Sequence, residues 1–477
     1  MKLAMIASEA APFIKTGGLG DVMQALPAEL SRIEGNEVCL FLPYYKKLKQ
    51  NPALKVEFVG SFNMELAWRE SYVGIFRHRP ENADMQVYFI DNDYYFGARG
   101  TVYGDFDDGE RFAYFSKAVL AVLYYLDFKP DILHAHDWQA AMAPIYFRAL
   151  YNEWSPSTKT VFTIHNVEYQ GWADASFFQN TLGLPESFRG HMTFDGAVNM
   201  MKGAIEVADI VTTVSETYAQ ELRYPYYAHR LDSVLRNVWL RGITNGIDTT
   251  VFNPATDPAL KTKYSAEDMS GKKANKQALR EELGLNTDTD APILAMVTRL
   301  AGHKGIDLLC YIAQRLLERD VQLVIVGTGE RQYEYALSAV AKQYPGRVAV
   351  SLRFDPALAS RVYAGTDMYL MPSKSEPCGL SQLIAMHYGA IPVVASTGGL
   401  RDTVPPFNPV TGEGRGFTFQ SYNADDFLNA IDRAVALYYD DRETWNALAQ
   451  RDMQCDFSWS VPAQRYMQLY QELLSNS

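Results

Sequence analysis

Short apolar runs and longer amphipathic stretches take turns along the chain. The runs fall at residues 3–7, 38–42, 86–90, 131–134, 160–164 and 209–214. Runs of this length between polar or glycine-rich breaks predict buried strands. Helical spacing is predicted at 21–32 and 110–126. Strands that alternate with helices predict an α/β fold on a parallel sheet. Turn signals then cluster around Asn245-Gly246, Asn253-Pro254 and Asp257-Pro258. They place a domain boundary between residues 243 and 244. A helix over 272–283 leads into a second set of strands at 293–297, 321–326, 348–352, 367–371 and 391–395, with a helix over 380–388 between the last two. In the tail, 457–477, Tyr466, Leu469, Tyr470, Leu473 and Leu474 keep helical spacing on one face, which reads as packing.

Composition narrows the partners. At 477 residues the chain exceeds one ordinary core, so two or three domains are expected. A net charge of −12 argues against a nucleic acid or an anionic membrane as main partner and leaves a neutral polymer such as a polysaccharide. Any bound phosphate then needs a local basic cluster. Cys39, Cys310, Cys378 and Cys455 lie far apart with no Cys-x-x-Cys pair, which fits a reducing cytoplasm. The N-terminal apolar run is shorter than a signal-peptide core, and the longest run, 118–126, is too short to span a bilayer.

Candidate chemistry sits where strands end. After the first strand comes Lys15-Thr-Gly17-Gly18-Leu-Gly-Asp21, where adjacent glycines let backbone N–H groups approach a ligand and Lys15 can meet negative charge. It is not a dinucleotide fingerprint: from Gly18 and Gly20 the third position is Met23, and Gly327-Thr-Gly329 fails likewise at Gln332. The loop 91–104, rich in aromatics and glycines, is either an irregular connection or a ligand contact, and 105–110 lacks calcium-loop spacing. His134-Ala-His136-Asp137 offers two histidines on one strand face, but without a third ligand at zinc-like spacing a metal site is set aside. With His165-Asn166 at the next strand end, a polar cleft is the better reading than two satisfied core histidines.

In the second half, Arg299 and Lys304 follow a strand end and precede a helix. They form either a solvated basic pair or a diphosphate clamp. Glu376-Pro-Cys378-Gly379-Leu380-Ser381 follows another strand, with Gly379 expected to open the helix; a carboxylate at a helix start, which favours anions, points to catalysis. Thr397-Gly-Gly-Leu-Arg-Asp402 echoes Thr16-Gly-Gly-Leu-Gly-Asp21, so the two halves look architecturally alike.

Taken together and in order, Lys15-Thr-Gly-Gly-Leu, His134-Ala-His-Asp-Trp, Thr163-Ile-His-Asn, Thr244-Asn-Gly-Ile-Asp, Arg299-Leu with Lys304-Gly, Glu376-Pro-Cys-Gly-Leu and Thr397-Gly-Gly-Leu make the whole chain resemble the bacterial glycogen synthases and plant starch synthases. These are retaining ADP-glucose glucosyltransferases. The resemblance implies a GT-B fold: two Rossmann-like domains across a deep cleft (1–243 and 244–456), with the last helix crossing back to the first. It implies that Arg299 and Lys304 neutralise the departing diphosphate, helped by N–H groups of Gly379 and Leu380, within a loop that includes Cys378 and Ser381. Lys15, Gly17, Gly18 and Asp21 would form the donor-facing loop of the first domain. Phe354 falls where the family sets an aromatic against adenine. Asp137, His165, Asn166 and Asn245 would line the glucose and acceptor side, and Glu376 would contact the donor sugar. Beyond ADP-glucose as donor substrate no cofactor and no metal are expected; the acceptor is an α-1,4-glucan, with no nucleic-acid or membrane partner.

This chain departs from the family pattern at Ser375, Lys374, His303 and Ser396, where Phe, Arg, Gln and Arg are usual, and outside the proposed catalytic set. Three rival readings stand beside it: a retaining GT-B enzyme using a UDP-sugar or a small acceptor, an NAD oxidoreductase on two Rossmann domains, which the failed glycine spacing opposes, and a catalytically dead glucan-binding protein.

Overall fold

The apolar runs become strands within a residue or two of their predicted limits in the structure, a computed structural model that describes residues 1–353 and 355–475. Residues 1–245 and the chain from Trp459 onward form one compact unit, and Gly246–Ser458 forms the other. The fully buried Tyr466 and Tyr470 of the tail helix Ser460–Ser475 therefore belong to the first unit's core.

The first unit contains β1 (Lys2–Ile6), β2 (Glu37–Pro43), β3 (Glu57–Leu66), β4 (Arg69–His78), β5 (Met85–Asp91), β6 (Ile132–His136), β7 (Lys159–Ile164), β8 (Trp172–Ala173), β9 (Thr193–Phe194), β10 (Ala197–Asn199), β11 (Ile210–Thr213) and β12 (Leu240–Gly242). Among the described residues the main sheet runs β12-β11-β7-β6-β1-β2-β5-β4-β3, with β8, β10 and β9 in a small separate sheet. From β12 to β5 every pairing is parallel. The predicted strands pair in parallel, and one edge adds strands that the sequence reading did not include: β3 and β4 form an antiparallel hairpin, and β4 runs antiparallel to β5. Only the two-residue link Ala67-Trp68 separates β3 from β4, too short for the crossover that parallel neighbours require.

The second unit holds β13 (Ile293–Val297), β14 (Gln322–Val326), β15 (Val348–Ser351), β16 (Met368–Met371), β17 (Ile391–Ala395) and β18 (Phe417–Phe419) in a parallel sheet ordered β15-β14-β13-β16-β17-β18. Read from its first strand outward, this is the doubly wound order 3-2-1-4-5-6. The segment β5-β2-β1-β6-β7-β11 of the first sheet repeats it. In each unit the order reverses beside the first strand, at β1/β6 and at β13/β16. Ligands of open α/β sheets bind outside the carboxyl ends of strands at such a reversal. All the loops singled out from the sequence leave those ends. Among the described residues no helix is long and apolar enough to cross a membrane.

One buried charge lies away from these loops. Asp452, near the end of the helix Arg442–Met453, is fully buried and neither carboxylate oxygen has a partner among the described residues. Burial pushes its carboxyl up to about 8, against the pull of Arg451 and Arg415. An unfolded Asp ionises near 4, so between pH ~4 and ~8 only the folded chain keeps this proton and stability falls as pH rises, by at most about 1.4 kcal/mol per unit. Asp452→Asn is therefore expected to gain melting temperature over the parent increasingly from pH 5 to pH 8. A pH-independent difference would show that the carboxylate is solvated.

Candidate active site

At the reversal in the second sheet the loops after β13 and β16 meet. The Lys304 Nζ donates to Glu376 Oε2 at 2.7 Å, and Ser373 Oγ donates to the same oxygen at 3.0 Å. Glu376 is 7% exposed. The pairing spans 72 residues of sequence and exists because β13 and β16 are neighbours in the sheet. The two loops are stitched through their backbones: Lys374 N donates to His303 O at 2.9 Å, and a Cβ on Gly305, whose φ is +76°, would fall 2.1 Å from Pro372 O. Arg299 stands exposed on the same loop as Lys304.

A third loop holds Glu376 from behind. Gly399 N donates to Glu376 O at 3.0 Å and to Pro377 O at 3.2 Å. A Cβ on Gly398 would lie 2.0 Å from Glu376 O, and one on Gly399 2.2 Å from Cys378 O. The Thr397-Gly-Gly echo thus has a local cause here: only glycine lets this turn lie against the backbone of the carboxylate loop. The helix opens later than expected, at Ser381 with Leu380 as N-cap; Gly379, at φ +71°, belongs to the turn before it. The Gln382 amide nitrogen closes that turn, donating to Cys378 O at 3.1 Å and Gly379 O at 2.8 Å. Cys378 is buried.

In the first unit the loop after β1 is shaped by charge. Lys15 Nζ pairs with Asp21 Oδ1 at 2.6 Å, and Gly17 caps the helix Gly18–Ser31 without a side-chain bond. Beneath them Glu9, 3% exposed, accepts the Thr16 backbone N–H, and burial raises its carboxyl. The aromatic loop reaches this corner through Tyr103, whose hydroxyl lies 2.7 Å from Ser8 Oγ. Its other aromatics serve mainly the core: Tyr95 and Phe96 are buried, with Tyr95 stacked on Tyr114 at 4.5 Å.

Asp137, after β6, has φ +58° and ψ 178°, a region that non-glycine residues enter only when their surroundings hold them there. Its carboxylate accepts the backbone N–H of His165 at 2.7 Å and of Asn166 at 3.3 Å. Those bonds favour the anion, yet burial dominates and brings the carboxyl up to about 7. A strained carboxyl pushed up by burial at a sheet reversal is the kind of group that clusters at functional sites. His136 Nδ1 lies 3.0 Å from His165 Nε2. Asn245 is buried, its Oδ1 unmet among the described residues. Phe354 lies outside the described residues.

Residues 2–237 match the model of the starch synthase catalytic domain, and 276–452 that of the group 1 glycosyl transferases. A glycogen synthase of Clostridium botulinum is 45% identical over 99% of both chains, and one of Desulforamulus reducens 44% identical over 100% of this chain and 99% of the other. The chain belongs to the glycogen synthase family. The catalytic domain of starch synthase IV from Arabidopsis thaliana, solved with ADP and acarbose, superposes with a TM-score of 0.91 at 37% identity, covering 99% of each chain. A sucrose-phosphate synthase from Thermosynechococcus elongatus, at 19% identity and TM-score 0.62, shares the fold. That fold is GT-B, two α/β units each built on a parallel-stranded sheet.

Against this family frame, sequence reasoning passes over Glu9 and Ser373 as site groups. Ser373 had a readable signal, three residues before Glu376 in a loop already singled out. Glu9 looks like any solvated carboxylate until burial is known.

Proposed function

We propose that the chain transfers glucose from ADP-glucose to the non-reducing 4-hydroxyl of an α-1,4-glucan with retention at the anomeric carbon. Full-length likeness at 44–45% identity to proteins named glycogen synthase carries this reading. The plant relative solved with ADP supports an ADP-bearing donor. Labelled glucose is expected to pass from ADP-glucose into glycogen; equal or faster incorporation from UDP-glucose would favour the UDP-sugar rival. The reading places the chain in the cytoplasm, in keeping with four free thiols.

The sugar–phosphate bond breaks ahead of acceptor attack, leaving positive charge on the sugar and negative charge on ADP. Lys304 has three N–H donors and spends one on Glu376, which leaves two for the diphosphate. Arg299, exposed on the same loop, adds a fork that spans two oxygens. Glu376, fixed by Lys304 and Ser373, sets its negative charge toward the sugar, and the departing phosphate takes the acceptor proton on the same face. In the first unit, Asp137, His165, Asn166 and Asn245 meet sugar hydroxyls. With fixed cations carrying the leaving group, exhaustive chelation is expected to leave transfer unchanged. Loss of transfer from a chain that stays folded would remove the fixed-cation account.

A further inference from the structure

His134, His136 and His165 form a column in the first unit that the proposed reaction only partly uses. The rings of His134 and His136 lie tilted with centroids 4.1 Å apart, and those of His136 and His165 lie 5.3 Å apart. The column starts at the tail helix, where the fully buried Tyr470 hydroxyl lies 2.7 Å from His134 Nδ1. Among the described residues this is the hydroxyl's one hydrogen-bond partner. A buried phenol with one partner donates to it, so His134 carries its proton on Nε2. That proton goes to Thr163 Oγ1 at 2.6 Å, itself 2.6 Å from Thr212 Oγ1.

His136 is buried too, and no protein group among the described residues meets its Nε2. Its Nδ1 faces His165 Nε2 at 3.0 Å. One of these nitrogens must donate and the other accept. Orphaned buried N–H groups are rarer than unmet acceptors. The proton of His136 therefore belongs on Nδ1, shared with His165, and its bare Nε2 lies in the core. His165 Nε2 then accepts, and the proton of His165 moves to Nδ1, which no hydrogen bond from the described residues reaches. His165 is half-buried, so that nitrogen remains for a ligand.

We propose that His136 is a positioning residue that locks His165 in its Nδ1–H form, so that the ring offers a sugar hydroxyl a donor and not an acceptor. Burial supports a neutral column: it pushes His134 and His165 down to about 3 and His136 well below the usual histidine range. The proposal rests on the reading of His165 as a sugar contact.

Long-range 1H–15N correlation of the full chain labelled in histidine reads the tautomers without substrate, with His165→Gln to assign the signal. The expected result is Nδ1–H on both His136 and His165; Nε2–H on His165 overturns the proposal. His136→Asn puts an amide nitrogen where Nδ1 stood and is expected to keep kcat within a few-fold. His136→Phe is expected to lower kcat about 10–100-fold, as displacing an orienting group does, while His165 moves toward Nε2–H. Equal losses in the two variants with the His165 tautomer unmoved mean packing alone and overturn the assignment. If the parent chain transfers no glucose, the reading of function fails by itself, and the tautomer measurement still decides the assignment.

Discussion

Lys304→Ala is expected to fold and to lose about 10²–10³ in turnover with ADP-glucose, the ~3–4 kcal/mol that one preorganised group contributes where charge develops. The loss has two sources that can be separated. One, on the proposed mechanism, is the missing positive charge at the departing diphosphate. The other is Glu376, whose buried carboxylate keeps, among the described residues, only Ser373 after the substitution. Losing a charged hydrogen bond in a partly buried site costs about 1–3 kcal/mol of stability, so a lowered melting temperature should accompany the lower turnover. Glu376→Gln on the Lys304→Ala background removes the stranded charge and is expected to recover most of that melting temperature without restoring turnover. Lys304→Arg keeps the charge in a wider, planar group and should fall between parent and alanine variant. Near-normal turnover of Lys304→Ala would take Lys304 out of the mechanism.

The sequence showed the loops but not their partnerships. In the second unit β13, β14, β16 and β17 are legible because they are buried along nearly their whole length and read as continuous apolar runs, whereas the three-residue β18 escapes the sequence reading. The hairpin β3–β4 is not, since most of its side chains are partly or wholly exposed and its apolar pattern is weak. The helix Ala424–Asp440 lies between: its buried face at Phe427, Ile431, Ala434 and Tyr438 has readable helical spacing, yet no motif draws attention to it. Lys304 and Glu376 are each visible as a charge after a strand, but their ion pair depends on β13 and β16 lying side by side, which no local pattern encodes. The same holds for Gly398 and Gly399. The echo between the halves is visible in sequence; its cause in the second half, a turn lying against the Glu376 backbone, is visible only once the chain is folded. Tyr470 shows the opposite error of scale. Its spacing correctly reads as packing, and the hydroxyl that reaches His134 is invisible to periodicity.

Glu376→Gln should be the more damaging single change in the second unit, with turnover down about 10³ and melting temperature little altered. The amide keeps the shape and can still accept from Ser373, so the folded loop survives; what disappears, on the proposed mechanism, is the negative charge facing the sugar as its bond to phosphate breaks. Two mechanisms share that expectation and differ in the intermediate they form. If Glu376 were a nucleophile in a double displacement, a glucosyl ester would accumulate on it when acceptor is scarce, and azide would rescue Glu376→Ala by entering the vacated face. In same-face substitution no ester forms, and azide gives no rescue, because the emptied space is not on the path of attack. The proposed mechanism expects the second outcome. Lys304 and Ser373 both hold Oε2, which anchors the carboxylate in place. Intact-mass spectra of the parent chain with ADP-glucose and no glucan are therefore expected to show no added glucosyl group, and a trapped adduct at Glu376 would replace same-face substitution with double displacement.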